Sequence, residues 1–349
     1  MSHPVLAITL GDPAGIGPEI ALKAVNKLQP RLEAGELALV LVGDPAALDR
    51  AGLVLGLTPP PVIAEADLSG LVGAAILPTP TPRSEIRWGT ISAEGGEQAY
   101  QAVAIATRLV QAGHIAGIVT APLNKEALHM AGHDYAGHTE MLADLTGVKG
   151  SVMMLAHGPF RVSHVSTHCA LEEVPKRATA ERISCVLDLT LATLRKLGLE
   201  SPRIAVAALN PHAGEGGIFG RHDIDVTEPL VAEYRARGER IFGPVPGDTV
   251  FVKLRGGDYD AVVAMYHDQG HIPVKLLGFN VDPATGKWTA LNGVNVTLGL
   301  PVIRTSVDHG TAFDIAGTGI ADETSLIEAV DYALQLAAPA GAMGAGTKV

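Results

Sequence analysis

Six short apolar runs, separated by segments of helical length, constrain this chain more than any other feature. Residues 5–10, 37–42, 115–120, 152–156, 203–209 and 259–265 each read as a strand, and 37–42 (LALVLV) contains no polar residue. A strand without alternation is buried on both faces, the condition of a parallel sheet covered by helices on either side. Strands alternating with helices predict a doubly wound α/β architecture. At 349 residues the chain exceeds one core of ordinary size, so two domains are expected.

The segments between the strands carry their own signals. After residues 5–10 comes GDPAGIGPEI, with Gly11, Gly15 and Gly17 in a turn and Pro18 opening an amphipathic helix through Val25. Its spacing is neither G-x-G-x-x-G nor a P-loop. It suits a phosphate cradle or a tight turn that packs helix on strand, and the sequence leaves both open. Residues 78–82 (PTPTP) form a stiff connection, and Ser92 caps a helix running to Gln111. At 137–140 (GHTE) a helix begins, with Thr139 as its N-cap. Residues 161–167 alternate and predict an edge or half-exposed strand. The chain returns to α/β packing with a strand over 296–304 and a helix over 325–336. The tail 339–349 has little to bury and is expected to be loose.

Charge and composition exclude several classes. The net charge of -11, from 37 acidic against 26 basic residues, disfavours a nucleic-acid or anionic-membrane surface, so an anionic substrate would need a local cluster of cations. No apolar run reaches the ~18 residues of a membrane helix. The first residues lack a basic leader and a cleavage site. Cys169 and Cys185 make no metal motif or disulfide framework, and Cys169 reads as a small apolar residue. A cytoplasmic protein is expected.

Three histidines occupy the same topological place. His168, His212 and His267 each follow a strand, at the carboxyl ends where open α/β sheets bind ligands. Three neutral imidazoles with an open position suit a divalent metal that polarises a substrate oxygen. The chain has 13 histidines, however, so position lifts these three without settling their role, and His3, His114, His129 and His222 read as ordinary. Lys275, Arg304 and His138 could hold a phosphate or carboxylate with helix-terminal N–H groups. Taken singly, Lys275 and Arg304 read as solvated charges.

Residues 11–19 (GDPAGIGPE), 210–217 (NPHAGEGG), 266–270 (YHDQG) and 293–317 together resemble the 4-hydroxythreonine-4-phosphate dehydrogenase family, over roughly 5–336. The segment 309–322 (HGTAFDIAGTGIAD) is similar to the cofactor loop of the decarboxylating isocitrate and isopropylmalate dehydrogenases. The resemblance implies two α/β/α domains of that type with a cleft between them, drawn as 1–135 with 300–349 and 136–299. It implies a homodimer with a shared active site and a divalent metal (zinc, manganese, magnesium or cobalt) on His168, His212 and His267. It places substrate phosphate and carboxylate on His138, Thr139, Lys275, Asn295 and Arg304, and NAD on His309, Gly310, Asp314 and Gly317. The activity implied is oxidation of a C3 hydroxyl on a 4-phosphorylated four-carbon hydroxy acid, with decarboxylation. Lys275 and Asp248 are the candidates for proton transfer.

Two departures bear on the substrate. Residues 280–292 read as an insertion, and His271 stands where the pyridoxal-pathway enzymes more often carry an apolar residue. Both features resemble the branch acting on D-threonate or D-erythronate 4-phosphate. The competing readings are an aromatic cis-dihydrodiol dehydrogenase, which needs no phosphate site, and a phosphate acyltransferase, which needs no convergent histidines.

Overall fold

The apolar runs become strands buried on both faces: Ala38–Gly43, Gly117–Thr120, Ile204–Ala207 and Ala261–Ala264 are buried throughout. The computed structural model describes residues 3–82, 84–281, 283–284 and 288–338. The chain divides into a unit of Met1–Ser151 with Leu300–Ala337 and a second built on Val152–Gly299. In chain order the first begins β1 (Val5–Thr9), α1 (Gly17–Glu33), β2 (Ala38–Gly43), α2 (Pro45–Leu55), β3 (Ala74–Pro78), α3 (Ala93–Gln111), β4 (Gly117–Thr120), α4 (Lys125–Met130) and α5 (His138–Thr146). The second contains β5 (Val152–His157), β6 (Phe160–His164), α6 (Val174–Arg177), α7 (Ala180–Lys196), β7 (Ile204–Ala207), α8 (Glu228–Ala236), β8 (Ile241–Val245), α9 (Gly247–Arg255), β9 (Ala261–Ala264), α10 (His267–Gly278), β10 (Phe279–Val281), β11 (Trp288–Leu291) and β12 (Val294–Leu298). The chain returns to the first unit with β13 (Arg304–Val307) and α11 (Thr324–Ala337).

In the first unit the strands lie in the order β3-β2-β1-β4-β13, all parallel. Its helices start where short polar side chains satisfy free N–H groups. Asp44 accepts from Ala46 N–H, Ser92 from Gly95 N–H and Asn124 from Ala127 N–H. Helix α1 continues past residue 25 because Leu28 and Leu32 extend its buried stripe, which outweighs the ladder hydrogen bond lost at Pro30. Two sequence expectations are corrected at α5. Gly137, not Thr139, is the N-cap. Met141 and Leu142 pack into the same core as Val103 and Leu109 of α3, so the helix belongs to the first unit and a boundary at 135 falls too early.

In the second unit the order is β12-β5-β6-β9-β7-β8. The β12–β5 and β5–β6 pairs are antiparallel and the others parallel. Strand β6 is therefore interior, not the edge its alternation suggested. Its Ser163 is satisfied inside, where Oγ accepts from Thr190 Oγ1 at 2.8 Å. The true edge, β8, carries Gly243 and Pro244 and was invisible as an apolar run; proline is tolerated at an edge, where its missing N–H breaks no ladder. The ends of the expected insertion form the β10–β11 ribbon. The tail 339–349 lies outside the described residues.

Candidate active site

Strand β9 ends at Ala264, and α10 opens two residues beyond Met265 with His267. The first imidazole is fixed by its neighbour: His267 Nδ1 is 2.7 Å from Asp268 Oδ1. A carboxylate on one ring nitrogen directs the other toward a metal or substrate, the usual outer support of a ligating histidine. Behind it His271 stacks at 3.6 Å between centroids, 11° from parallel, with its Nδ1 2.9 Å from the His267 carbonyl. His164 follows at 4.7 Å from His271. Burial draws His271 down to about 4 and His164 to about 3, with the adjoining imidazole acting in the same direction. The buried rings therefore stand as neutral packing groups. Gly270 is required here, since a Cβ would lie 2.3 Å from His164 Nε2.

His168 lies beyond β6, exposed, with its ring centroid 5.9 Å from that of His267. His212 is placed differently. It lines a hollow of about 530 Å³ with Asp248, Tyr266, Asp268 and Gln269. Gln269 ties the two strand exits together, accepting from Met265 N–H at 2.7 Å and donating to the Ala208 carbonyl at 2.8 Å. Asp223, fully buried, accepts the N–H groups of Leu209 and Asn210. His212, Ala213 and Glu215 then hold φ of 50°, 54° and 45°, values rare for residues with a Cβ and concentrated at functional sites. Within the chain His168 and His267 are neighbours, and no group of three metal-binding side chains forms among the described residues. The imidazole set, with Asp268 behind His267, still has the donor chemistry of a divalent-metal site. The sequence places Asp268 beside His267 at the strand end as a carboxylate of the site, without a specific role; Gln269 and Asp223 were given none.

The first unit supplies cationic groups. Arg304 is 3% exposed, so its reading as a solvated charge is wrong. It opens β13 rather than closing a strand, pairing with Ile118, and donates from Nη2 to Thr120 Oγ1 at 2.7 Å. Burial draws it down to about 9, opposed by Glu140, so it stays charged at neutral pH. His138, first residue of α5, has its Nε2 buried without a hydrogen-bond partner among the described residues. Burial, and secondarily Arg304, hold its pKa well below the usual imidazole range. Among the described residues no side chain caps α5, so its first-turn N–H groups and the half-buried Thr139 stand beside these side chains. Lys275 and Asn295 belong to the second unit, on α10 and β12; Lys275 Nζ lies 4.6 Å from the centroid of the Phe279 ring.

Of the loop after β13, Gly310 and Asp314 are exposed and His309 half-buried, while Gly317 faces inward. The glycine turn that precedes α1 is a packing device. Its N–H groups are spent internally: Asp12 on the Pro122 carbonyl, Ala14 on Asp12 Oδ1, Gly15 on the Asp12 carbonyl and Ile16 on the Thr311 carbonyl. At Gly17 a Cβ would meet the Leu10 carbonyl at 1.9 Å.

A strand-end histidine set and a buried cationic recess, each in its own α/β unit, define a candidate enzyme of small anionic substrates. The sequence profile of the pyridoxal phosphate biosynthetic protein PdxA matches residues 36–333, and the chain belongs to this family. It is 63% identical over 97% of its length to 98% of a Bradyrhizobium diazoefficiens protein named "Putative D-threonate 4-phosphate dehydrogenase". It is 44% identical to the D-threonate 4-phosphate dehydrogenase of Salmonella typhimurium, over 97% of this chain and all of that one. The crystal structure of 4-hydroxythreonine-4-phosphate dehydrogenase from Klebsiella pneumoniae superposes with a TM-score of 0.81 at 42% identity, covering 96% and 98% of the two chains. A terephthalate 1,2-cis-dihydrodiol dehydrogenase from Burkholderia xenovorans is more distant, with a TM-score of 0.65 and 30% identity over 95% and 98%.

Proposed function

We propose that the protein is a metal-dependent NAD oxidoreductase that oxidises the C3 hydroxyl of D-threonate 4-phosphate or a close four-carbon relative, with loss of carbon dioxide. The observation that carries this reading is the buried pair of Arg304 and His138 beside the uncapped start of α5. A buried guanidinium beside a helix N-terminus suits a phosphate or carboxylate, which both meet with charge-assisted hydrogen bonds. The same pair counts against an uncharged dihydrodiol substrate.

We assign substrate phosphate and carboxylate to His138, Thr139, Lys275, Asn295 and Arg304. His168, His212 and His267 would hold the divalent ion, and a homodimer with a shared site is part of the proposal. When bound, the ion supplies Lewis acidity at the C3 oxygen and NAD supplies the hydride acceptor. The chain's own groups do the rest. Asp248, or Lys275 as its neutral amine, takes the hydroxyl proton, while Arg304 orients the anionic ends; where Asp248 is the base, the Lys275 ammonium assists Arg304. Oxidation at C3 creates a β-keto acid, whose carboxylate leaves readily as carbon dioxide. The 63% identity to a relative named for D-threonate supports that branch over the 4-hydroxythreonine branch.

The test is NADH formation by purified protein with added divalent metal, offered the 4-phosphates of D-threonate, D-erythronate and 4-hydroxy-L-threonine in parallel. Turnover of the sugar acids is expected. Turnover of the amino acid alone would move the protein to vitamin B6 synthesis, and no turnover with any of them would sink the proposal.

A further inference from the structure

Residues 315–323 have no regular secondary structure, yet their main chain is held almost as a strand's would be. The partners are side chains from one face of α1, where Glu19, Lys23 and Lys27 follow at intervals of four residues and so lie above one another. Glu19 is fully buried, and its two carboxylate oxygens accept the N–H groups of Gly317 and Gly319, the second at 2.9 Å. Lys23 donates to the carbonyls of Gly319 and Ala321 at 2.7 and 2.6 Å. Lys27 pairs with Glu323 at 2.5 Å.

The inner side of the loop is set by shape. Gly317 sits at φ +81° with the Trp88 ring 2.3 Å from where a Cβ would stand. Gly89 donates to the Ala14 carbonyl at 2.8 Å, and Ile16 to that of Thr311 at 3.0 Å. The loop is thus fastened at residues 311, 317, 319, 321 and 323, which leaves Gly310 and Asp314 outward. A buried carboxylate that accepts two N–H groups makes strong, charge-assisted bonds, and it cannot be replaced by water in a closed site.

We propose that Glu19 and Lys23 are positioning residues for the dinucleotide. They fix residues 309–319 in the one shape that NAD meets, so the GDPAGIGPE segment serves the cofactor through the loop and not as a phosphate cradle. This rests on the NAD-linked reading above, and the experiment separates the two. Glu19→Gln keeps the side-chain shape but turns one acceptor into a donor facing an N–H. Lys23→Met, less buried, is the second variant should the first fold poorly.

NAD is titrated calorimetrically into wild type and both variants, and hydrogen exchange is followed over residues 309–322. We expect Kd for NAD to rise about tenfold in Glu19→Gln, about 1.4 kcal/mol, with faster exchange at 315–320. KM for NAD should rise in step while kcat at saturating NAD stays within about twofold, and divalent-metal affinity should not move. Faster exchange with unchanged Kd would make the clamp merely structural and overturn the inference, as would unchanged exchange with unchanged Kd. Failure of the wild type to bind NAD would remove the NAD-linked reading itself and this inference with it.

Discussion

Beside its candidate site the second unit buries two imidazoles, whereas the first buries His138, whose charge is likewise suppressed, together with Arg304, whose charge is not. In the second unit the buried rings of His164 and His271 surrender their charge, held down to about 3 and about 4, and pack as neutral spacers behind His267. In the first unit Arg304 is as deeply buried but keeps its proton, because even a value of about 9 leaves a guanidinium charged at neutral pH. Imidazole can answer desolvation by becoming neutral, whereas guanidinium cannot. A buried arginine is therefore the stronger mark of an anionic ligand, and buried histidines are equally at home in a core.

Breaking the first side of that contrast should have the largest effect. Arg304→Met removes the charge at similar volume. It should lower kcat/KM for the phosphorylated substrate by roughly 10²–10³-fold, the scale of a buried charge partner, while stability holds or rises. Thermal melts read beside steady-state kinetics would show it. Equal losses of activity and stability would mean that the arginine is structural.

Asp268→Asn sharpens the other side. If His267 owes its orientation to that carboxylate, affinity for added Zn²⁺ or Mn²⁺, measured by competition with a chelator, should fall about 10–100-fold. Unchanged affinity would reduce the contact to an incidental surface pair.

Asp12 gives a smaller and purely energetic test. It lies in the first unit yet behaves like the histidines of the second: burial pushes its carboxyl up from 3.8 to about 6, only partly opposed by the Ala14 N–H. The folded state then holds this proton more tightly than the unfolded state, so the group's contribution to stability falls as pH rises from about 4 to about 6. Asp12→Asn has no proton to lose and can still accept from Ala14. In urea melts it should gain ~2 kcal/mol on wild type at about pH 8 relative to about pH 4. Parallel pH profiles would show that Asp12 does not titrate in this range.

Much of the fold that carries both sites is legible in the sequence, and the reasons are local. Runs such as 37–42 and 261–265 have no polar face to expose, so burial on both sides was forced. Ser92 signalled a helix start because free N–H groups need a nearby acceptor. The strand-end positions of His168, His212 and His267, and the motifs around them, were equally readable. Strand β8 escaped because Gly243 and Pro244 are strand breakers that only an edge position excuses. The interior place of β6 escaped because Thr190, which satisfies Ser163, lies 27 residues further along the chain.

By itself, then, the sequence determined the α/β alternation, the Ser92 helix cap, the family and the residue types of the candidate site. All of these depend on neighbours within a few residues or on a linear pattern. Only the tertiary structure decided that Arg304 is buried against Thr120, that His271 is a spacer between His267 and His164, and that Glu19 grips Gly317 and Gly319 across about 300 residues of chain. Desolvation and hydrogen bonding between distant segments set those roles, and both exist only once the strands have brought the segments together.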